Sequence, residues 1–490
     1  MRITITGTPA GTLVRSLLLV ALSGGAASLV GQGAAPPPAS VPFQLTRMAL
    51  DLRVDYDSAT IAGTAALTLR NASARPVDAV PLLLGRLLVV SDVRDGAGRA
   101  LPFRQRFALF TDEPARQVNA ITVRAPHAVA PGDSITIAVR YAGTLVGYAE
   151  TGSLYIRDHV DSAFTILRED AYAFPVAGVL SARADHAAPR GLFAFTARIT
   201  VPPGEVVAMG GTGAPPEPRG ALVTWSYRSE APVPFLNIAI APYRVMDAPG
   251  SRIYHFAADT AGARMVQRAI ADAMANYAAW FGPLAHGATL TVMEIPEGFG
   301  SQASLAAGIL QSADAFQDRA ELRQLYHELS HLWNVADADR PSPRWNEGLA
   351  SFLQYRMAAT LDGWNDWDGA VARRTASLER ACAPPARCDS VPMARYGAAG
   401  MTDLSYGTGM LMFYALFEVL GAERFDRAYG GFFQARQSTE GSTAELAAAF
   451  RAAGPASAAV IDDWLLTPRW YARLRSGESV AQMIAGYRTR

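Results

Sequence analysis

Residues 327–331 read His-Glu-Leu-Ser-His, and Trp345-Asn346-Glu347-Gly348 follows soon after. No other feature narrows the fold as far. Two imidazoles four residues apart share one face only on a helix, so the pattern predicts a helix there, with His327 and His331 holding one metal ion. Glu328, between them, is placed to activate a water held by that ion. Glu347 is placed to supply the third protein ligand, and a fourth position stays open for water or substrate, as catalytic zinc requires. Two imidazoles and one carboxylate favour zinc, so one Zn2+ per chain is expected. The pattern predicts a zinc hydrolase, first of all a peptidase.

With 7 His and 44 acidic residues in 490, a His-Glu-x-x-His arises by chance roughly once per hundred such chains. Context strengthens the motif. Across 318–335, Leu322, Leu325, Tyr326, Leu329, Leu332 and Trp333 fall at helical spacing and form a buried stripe. Asp318 and Glu321 resemble an N-terminal capping pair.

Acidic and basic residues balance at 44 each, which argues against nucleic acid or an anionic membrane as the main partner. Every basic residue is arginine, because the chain contains no lysine. Half the residues are hydrophobic, ample for more than one core.

Arg2 and Arg15 precede an apolar stretch, 16–30, that is short for a membrane span. Gly31, Gly33, Ala34 and Ala35 follow, then Pro36-Pro37-Pro38. Residues 1–35 are therefore expected to be an export signal cleaved near 33–35, and 36–43 a Pro-rich linker. The protein is expected to be periplasmic or secreted, with no stable membrane insertion after cleavage; an uncleaved anchor is the alternative. The two cysteines, Cys382 and Cys388, suit a small disulfide loop, which export permits. Their spacing fits no zinc pattern.

Residues 44–245 read as β-structure. Leu50, Leu52, Val54 and Tyr56 alternate with polar neighbours, as do Ile135, Ile137, Val139 and Tyr141 and the run from Phe193 to Val201. Turn signals lie between them, so a largely antiparallel sheet with one buried face is expected. Near 246 the pattern changes. One more strand, 289–295, precedes helices at about 262–281, 318–335, 346–360, 367–380, 408–420, 422–436 and 443–453. The fold class is α+β and multidomain, with domains at 44–245 and 246–490.

These residues together resemble the M1 metallopeptidases, the aminopeptidase N and leukotriene A4 hydrolase group of gluzincins, over roughly 45–470. Residues 49–55 and 63–69 resemble the opening strands of that family's β-saddle domain, and 235–239 with Pro242-Tyr243 resemble its end. Residues 325–334 and 345–350 match the zinc segments. Leu404-Ser405-Tyr406-Gly407-Thr408-Gly409 resembles the segment with the family's catalytic tyrosine. The resemblance implies an N-terminal antiparallel β-saddle domain, then a thermolysin-like, mostly helical zinc-peptidase domain. It implies His327, His331 and Glu347 as zinc ligands, Glu328 as general base and Tyr406 as donor to the developing oxyanion, with Tyr396 a nearby alternative.

The pattern also departs from the family. Fifteen residues separate His331 from Glu347, fewer than is usual, so the site depends on a tight connection through Pro341 and Pro343. Residues 331–335 are similar to the M61 glycyl aminopeptidases. M1 aminopeptidases carry Gly-x-Met-Glu-Asn on an edge strand, whose glutamate grips the substrate amine; the corresponding stretch here, 300–308, holds no acid. Glu294 and Glu297 are candidate substitutes, and Glu169 lies where the family's saddle reaches into the site; solvated surface is the plainer reading of each. Three functions follow in order: an aminopeptidase on peptide substrates, an endopeptidase lacking the amine anchor, and a catalytically silent peptide-binding or scaffold relative.

Overall fold

The alternating pattern of the first half builds a sandwich. The computed structural model describes residues 40–147, 157–188, 191–285, 289–298, 302–304, 307–383 and 387–490. The expected export signal and residues 36–39 of the expected linker lie outside them. Strand Phe43–Asp55 pairs antiparallel with Thr60–Asn71 and parallel with Ala194–Val201. Thr60–Asn71 continues through Ser134–Gly143 to Leu88–Asp95, and Ala194–Val201 continues to Leu222–Arg228. The parallel pair is the exception within an otherwise antiparallel sheet. Period-two alternation puts Leu50, Leu52, Val54, Ile61, Leu67, Ile137, Val139 and Ile199 on one buried face. A second sheet, Phe103–Leu109, Gln117–Val129, Val77–Gly85 and Val176–Ala177, contributes Val80, Leu82, Leu84, Ile121 and Val123 to the same core.

A small three-stranded sheet, Val206–Ala208, Asn237–Ala241 and Thr165–Arg168, joins this core to the rest. Phe164, Ile166, Ala208, Ala239, Ala241 and Tyr243 pack against Tyr254, Met293, Ile295 and Leu310 in a cluster of their own. Residues 39–490 thus form one compact unit.

The second half corrects one expectation. Where a single strand, 289–295, was expected, five form a sheet in the order Arg244–Ala248, Ser251–His255, Leu290–Ile295, Gly308–Ser312, Gln302–Ser304. The first of them runs across the expected 245/246 boundary. Ser251–His255, Leu290–Ile295 and Gly308–Ser312 are parallel neighbours and mostly buried. Such strands lose the alternation that marks a half-exposed strand, and runs of five or six residues leave little else to read.

The expected helices form within a few residues of their predicted ends: Thr260–Phe281, Leu322–Ser330, Trp345–Leu361, Trp367–Ala381, Leu404–Leu420, Ala422–Arg436 and Thr443–Ala452. The largest shortfall is the motif helix, which is α-helical over 322–330 and flanked by 3-10 turns at Arg319–Glu321 and His331–Trp333. Asp318 accepts from Ala320 N at 2.9 Å, whereas Glu321 makes no side-chain cap on the helix it precedes. The two therefore do not act as one capping pair. The disulfide Cys382–Cys388 is formed, and both residues are buried.

Candidate active site

The apolar stripe places the motif helix before its chemistry is considered. Leu322, Leu325, Tyr326 and Leu329 are fully buried, and Trp333 nearly so. Tyr277 Oη donates to Tyr326 O at 2.9 Å, Tyr429 Oη to Trp333 O at 2.8 Å, and Trp333 Nε1 to Gly282 O at 2.9 Å. With that face anchored, His327 and His331 leave from the other side, their ring centroids 4.9 Å apart.

The connection to Glu347 is tight, as its length requires. Asp337 Oδ2 accepts from Ser342 Oγ at 2.7 Å, Ser342 Oγ from Arg344 N at 3.0 Å, and Val335 O from Asn346 Nδ2 at 3.0 Å. Arg344 sits at the N-cap of helix Trp345–Leu361 with φ 57°, left-handed backbone that a non-glycine residue adopts only under local constraint. Ser405 Oγ donates to Pro343 O at 2.6 Å and so ties the same turn to the tyrosine helix.

Three ligand atoms converge as a result. Glu347 Oε2 lies 3.4 Å from His327 Nε2 and 3.5 Å from His331 Nε2. All three lie within 4.8 Å of one another, the one such group among the described residues. A tetrahedral ion with ligand bonds of about 2.0–2.1 Å sets its ligand atoms about 3.3–3.4 Å apart, so the spacing suits zinc. Protonation fits as well. Burial lowers His331 to about 4, which leaves the ring neutral with a free lone pair. Burial opposes ionisation of Glu347, but the His327 hydrogen bond and the Arg344 charge help hold its carboxyl well below the usual range. Burial also opposes a charge on His327, yet Glu347 and Glu328 outweigh it and raise the ring. Asn334 Nδ2 lies 2.6 Å from His331 Nδ1; with the amide flipped, its oxygen would accept Nδ1–H and leave Nε2 for a metal.

Glu328 is nearly buried beside the triad, and burial raises its carboxyl to about 7, against the pull of His327. Tyr406 lies with its ring nearly parallel to that of His327, centroids 6.4 Å apart. Tyr396, the alternative, is fully buried, its hydroxyl 3.4 Å from Thr408 Oγ1. Burial raises the Tyr406 hydroxyl, so it stays protonated and able to donate. The charge of Arg344 partly offsets that rise; its Nη2 donates to Glu347 Oε1 at 2.7 Å and to Tyr406 Oη at 3.2 Å.

No protein-family model matches the sequence, and no curated protein matches it. Solved structures do. An M1 zinc metallopeptidase from Deinococcus radiodurans aligns with a TM-score of 0.61 at 20% identity, covering 87% of this chain and 97% of that one. Yeast leukotriene A4 hydrolase aligns with a TM-score of 0.61 at 15% identity, covering 89% and 71%. This chain has the M1 metallopeptidase fold. A mutant of the Deinococcus peptidase bound to a Tyr-Ser-Ala substrate aligns equally, over 88% and 98% at 20% identity.

In this M1 fold the edge strand beside the histidine helix is Gln302–Ser304, paired with Gly308–Ser312. It carries no acid; Gly300, Ser301, Leu305 and Ala306 lie outside the described residues. The substitute acids are not gathered at the triad. Glu294 is fully buried, against the expectation of a solvated surface acid, and accepts from Phe256 N at 2.6 Å. Burial and the nearby Asp259 raise it to about 8. Glu297 is exposed on a turn, as a solvated acid would be, and Glu169 is half-buried in the 3-10 turn after strand Thr165–Arg168. Arg344 and Asn334 were not singled out from the sequence as site residues. One arginine among 44 basic residues carries no spacing signal, and only the M61-like run marked Asn334.

Proposed function

We propose that this chain is an exported zinc-dependent peptidase that removes N-terminal residues. The observation that carries the reading is the ligand triangle of His327, His331 and Glu347, sized for zinc, with a buried carboxyl and a phenol beside it. Zinc held there would supply a Lewis acid that polarises the substrate carbonyl and acidifies water. Glu328, poised near neutrality, takes a proton from the attacking water and returns it to the amine nitrogen as the C–N bond breaks. Tyr406 donates a hydrogen bond from its hydroxyl to the carbonyl oxygen as that oxygen gains charge. Arg344 Nη2 donates to Tyr406 Oη, which takes one lone pair of the phenol and leaves its O–H as the donor.

Peptides as substrates are supported by the tripeptide that the structurally similar Deinococcus peptidase binds. Export is supported by the pattern of residues 1–35 and by the buried disulfide, which suits an oxidising compartment. Among the described residues no helix is long and apolar enough to cross a membrane. A second reading, an endopeptidase or an enzyme for blocked peptides, is favoured by the acid-free edge strand Gln302–Ser304.

The test is mass spectrometry of peptides offered with free and acetylated N-termini to the zinc-loaded protein. Stepwise loss from free N-termini alone is expected, whereas internal cuts in both members of a pair establish the second reading. Glu328→Gln should keep one zinc per chain and lose about 10²–10⁴-fold in turnover. Near-normal turnover would remove Glu328 from the mechanism.

A further inference from the structure

We propose that Arg374 is the substrate-carboxylate receptor of this site, an inference that rests on the peptidase reading. Helix Trp367–Ala381 packs along the start of helix Leu404–Leu420. A Cβ at Gly407 would meet Leu378 Cδ2 at 2.8 Å and Arg374 Cδ at 3.2 Å. The Arg374 stem therefore crosses over Gly407, the residue after Tyr406. Its tip comes close enough for its charge to bear on His327.

The side chain is half-buried, and among the described residues it has no carboxylate partner and no hydrogen-bond acceptor. Its neighbour Arg373 is exposed and pairs with Asp366 at 3.0 Å. Arg344, the other cation at the triad, is already committed to Glu347 and Tyr406. A guanidinium has five donors in a planar fork, and withdrawing it from water without acceptors is unfavourable. A carboxylate supplies two acceptor oxygens at the matching spacing and takes the fork bidentately.

The acid-free edge strand points the same way. A site with an unpaired arginine and no carboxylate on its edge strand suits a substrate held by its anion more than by its ammonium. Two sources share that chemistry: the C-terminal carboxylate of a short peptide and an Asp or Glu side chain near the scissile bond.

Binding can be read without turnover. Zinc-loaded full-length protein carrying Glu328→Gln is titrated calorimetrically with Ala-Ala-Ala as free acid and as amide, and with Ala-Glu-Ala amide and Ala-Gln-Ala amide. Preference for the anionic member of at least one pair by about tenfold or more is expected. The first pair reports a terminal carboxylate, the second a side chain. Arg374→Met, which keeps the stem over Gly407, should erase the preference with zinc content unchanged, and Arg374→Lys should retain part of it. Equal binding within both pairs overturns the proposal before any Arg374 variant is made, and so does a preference that survives Arg374→Met. If the preference holds but the wild-type chain cleaves none of the four, the peptidase reading fails and the receptor stands. If acid and amide are cleaved and bound alike, and Glu and Gln likewise, the receptor fails and the peptidase stands.

Discussion

The residues at the triad divide into those that bind and those that only position. The proposed mechanism puts Tyr406 in the first group; its ring lies along His327 and its hydroxyl accepts from Arg344. Tyr406→Phe removes one donor to the developing oxyanion, so kcat should fall by about 10²–10³-fold with KM little changed; steady-state kinetics on one peptide checks this. Glu294 makes a different prediction, because its carboxyl is buried against Phe256 N. Its folded-state value of about 8 lies above the ordinary carboxyl value of 4.5. Between those values the unfolded chain releases the proton and the folded chain keeps it, so stability falls as pH rises from about 4.5 to about 8. Glu294→Gln should flatten that slope. Melting temperatures at pH 5 and pH 8 should converge in the variant relative to wild type; an unchanged slope would show that Glu294 does not titrate as its burial implies.

At the scale of elements, the site depends on how closely two helices approach. Helices Trp345–Leu361 and Leu404–Leu420 cross at Gly348 and Gly409. A Cβ at Gly348 would lie 2.7 Å from Ser405 O and also collide with the Gly409 backbone, and one at Gly409 would lie 2.7 Å from Gly348 Cα. That approach sets Glu347, one residue before the first glycine, beside Tyr406. Gly348→Ala should therefore destabilise the fold by about 1–3 kcal/mol through overpacking. It should also weaken zinc binding by spreading the two helices, which chelator competition measures; normal zinc affinity in a folded variant would separate the crossing from the site.

For the whole molecule, the connection between the sandwich and the helical half lies in the three-stranded sheet. At the end of its strand Thr165–Arg168, Arg168 meets Asp158 at 2.7 Å, and both side chains are buried. Burial raises the Asp158 carboxyl while the Arg168 charge opposes that rise. Removing one partner takes the buried counter-charge from the other, so Asp158→Asn should cost about 3–5 kcal/mol in denaturant unfolding. A loss under about 1 kcal/mol would mean that water reaches the pair.

The sequence by itself determined the elements that announce themselves by period and the ligands that lie close along the chain. The β-sandwich alternation, the amphipathic motif helix and the His327-Glu328-His331 spacing are local patterns, and local geometry carries them into the fold. The second-half sheet was not legible, because its central strands are short and largely buried, which removes alternation. Nor were the roles of Arg344, Arg374 and Glu294. A charged residue acquires its role from what faces it across the fold: Glu347 and Tyr406 for Arg344, the backbone of Gly407 for Arg374, and Phe256 for Glu294. Tertiary structure decided these because burial and partner distance, which set the energy of a charge, belong to the assembled core and not to the chain.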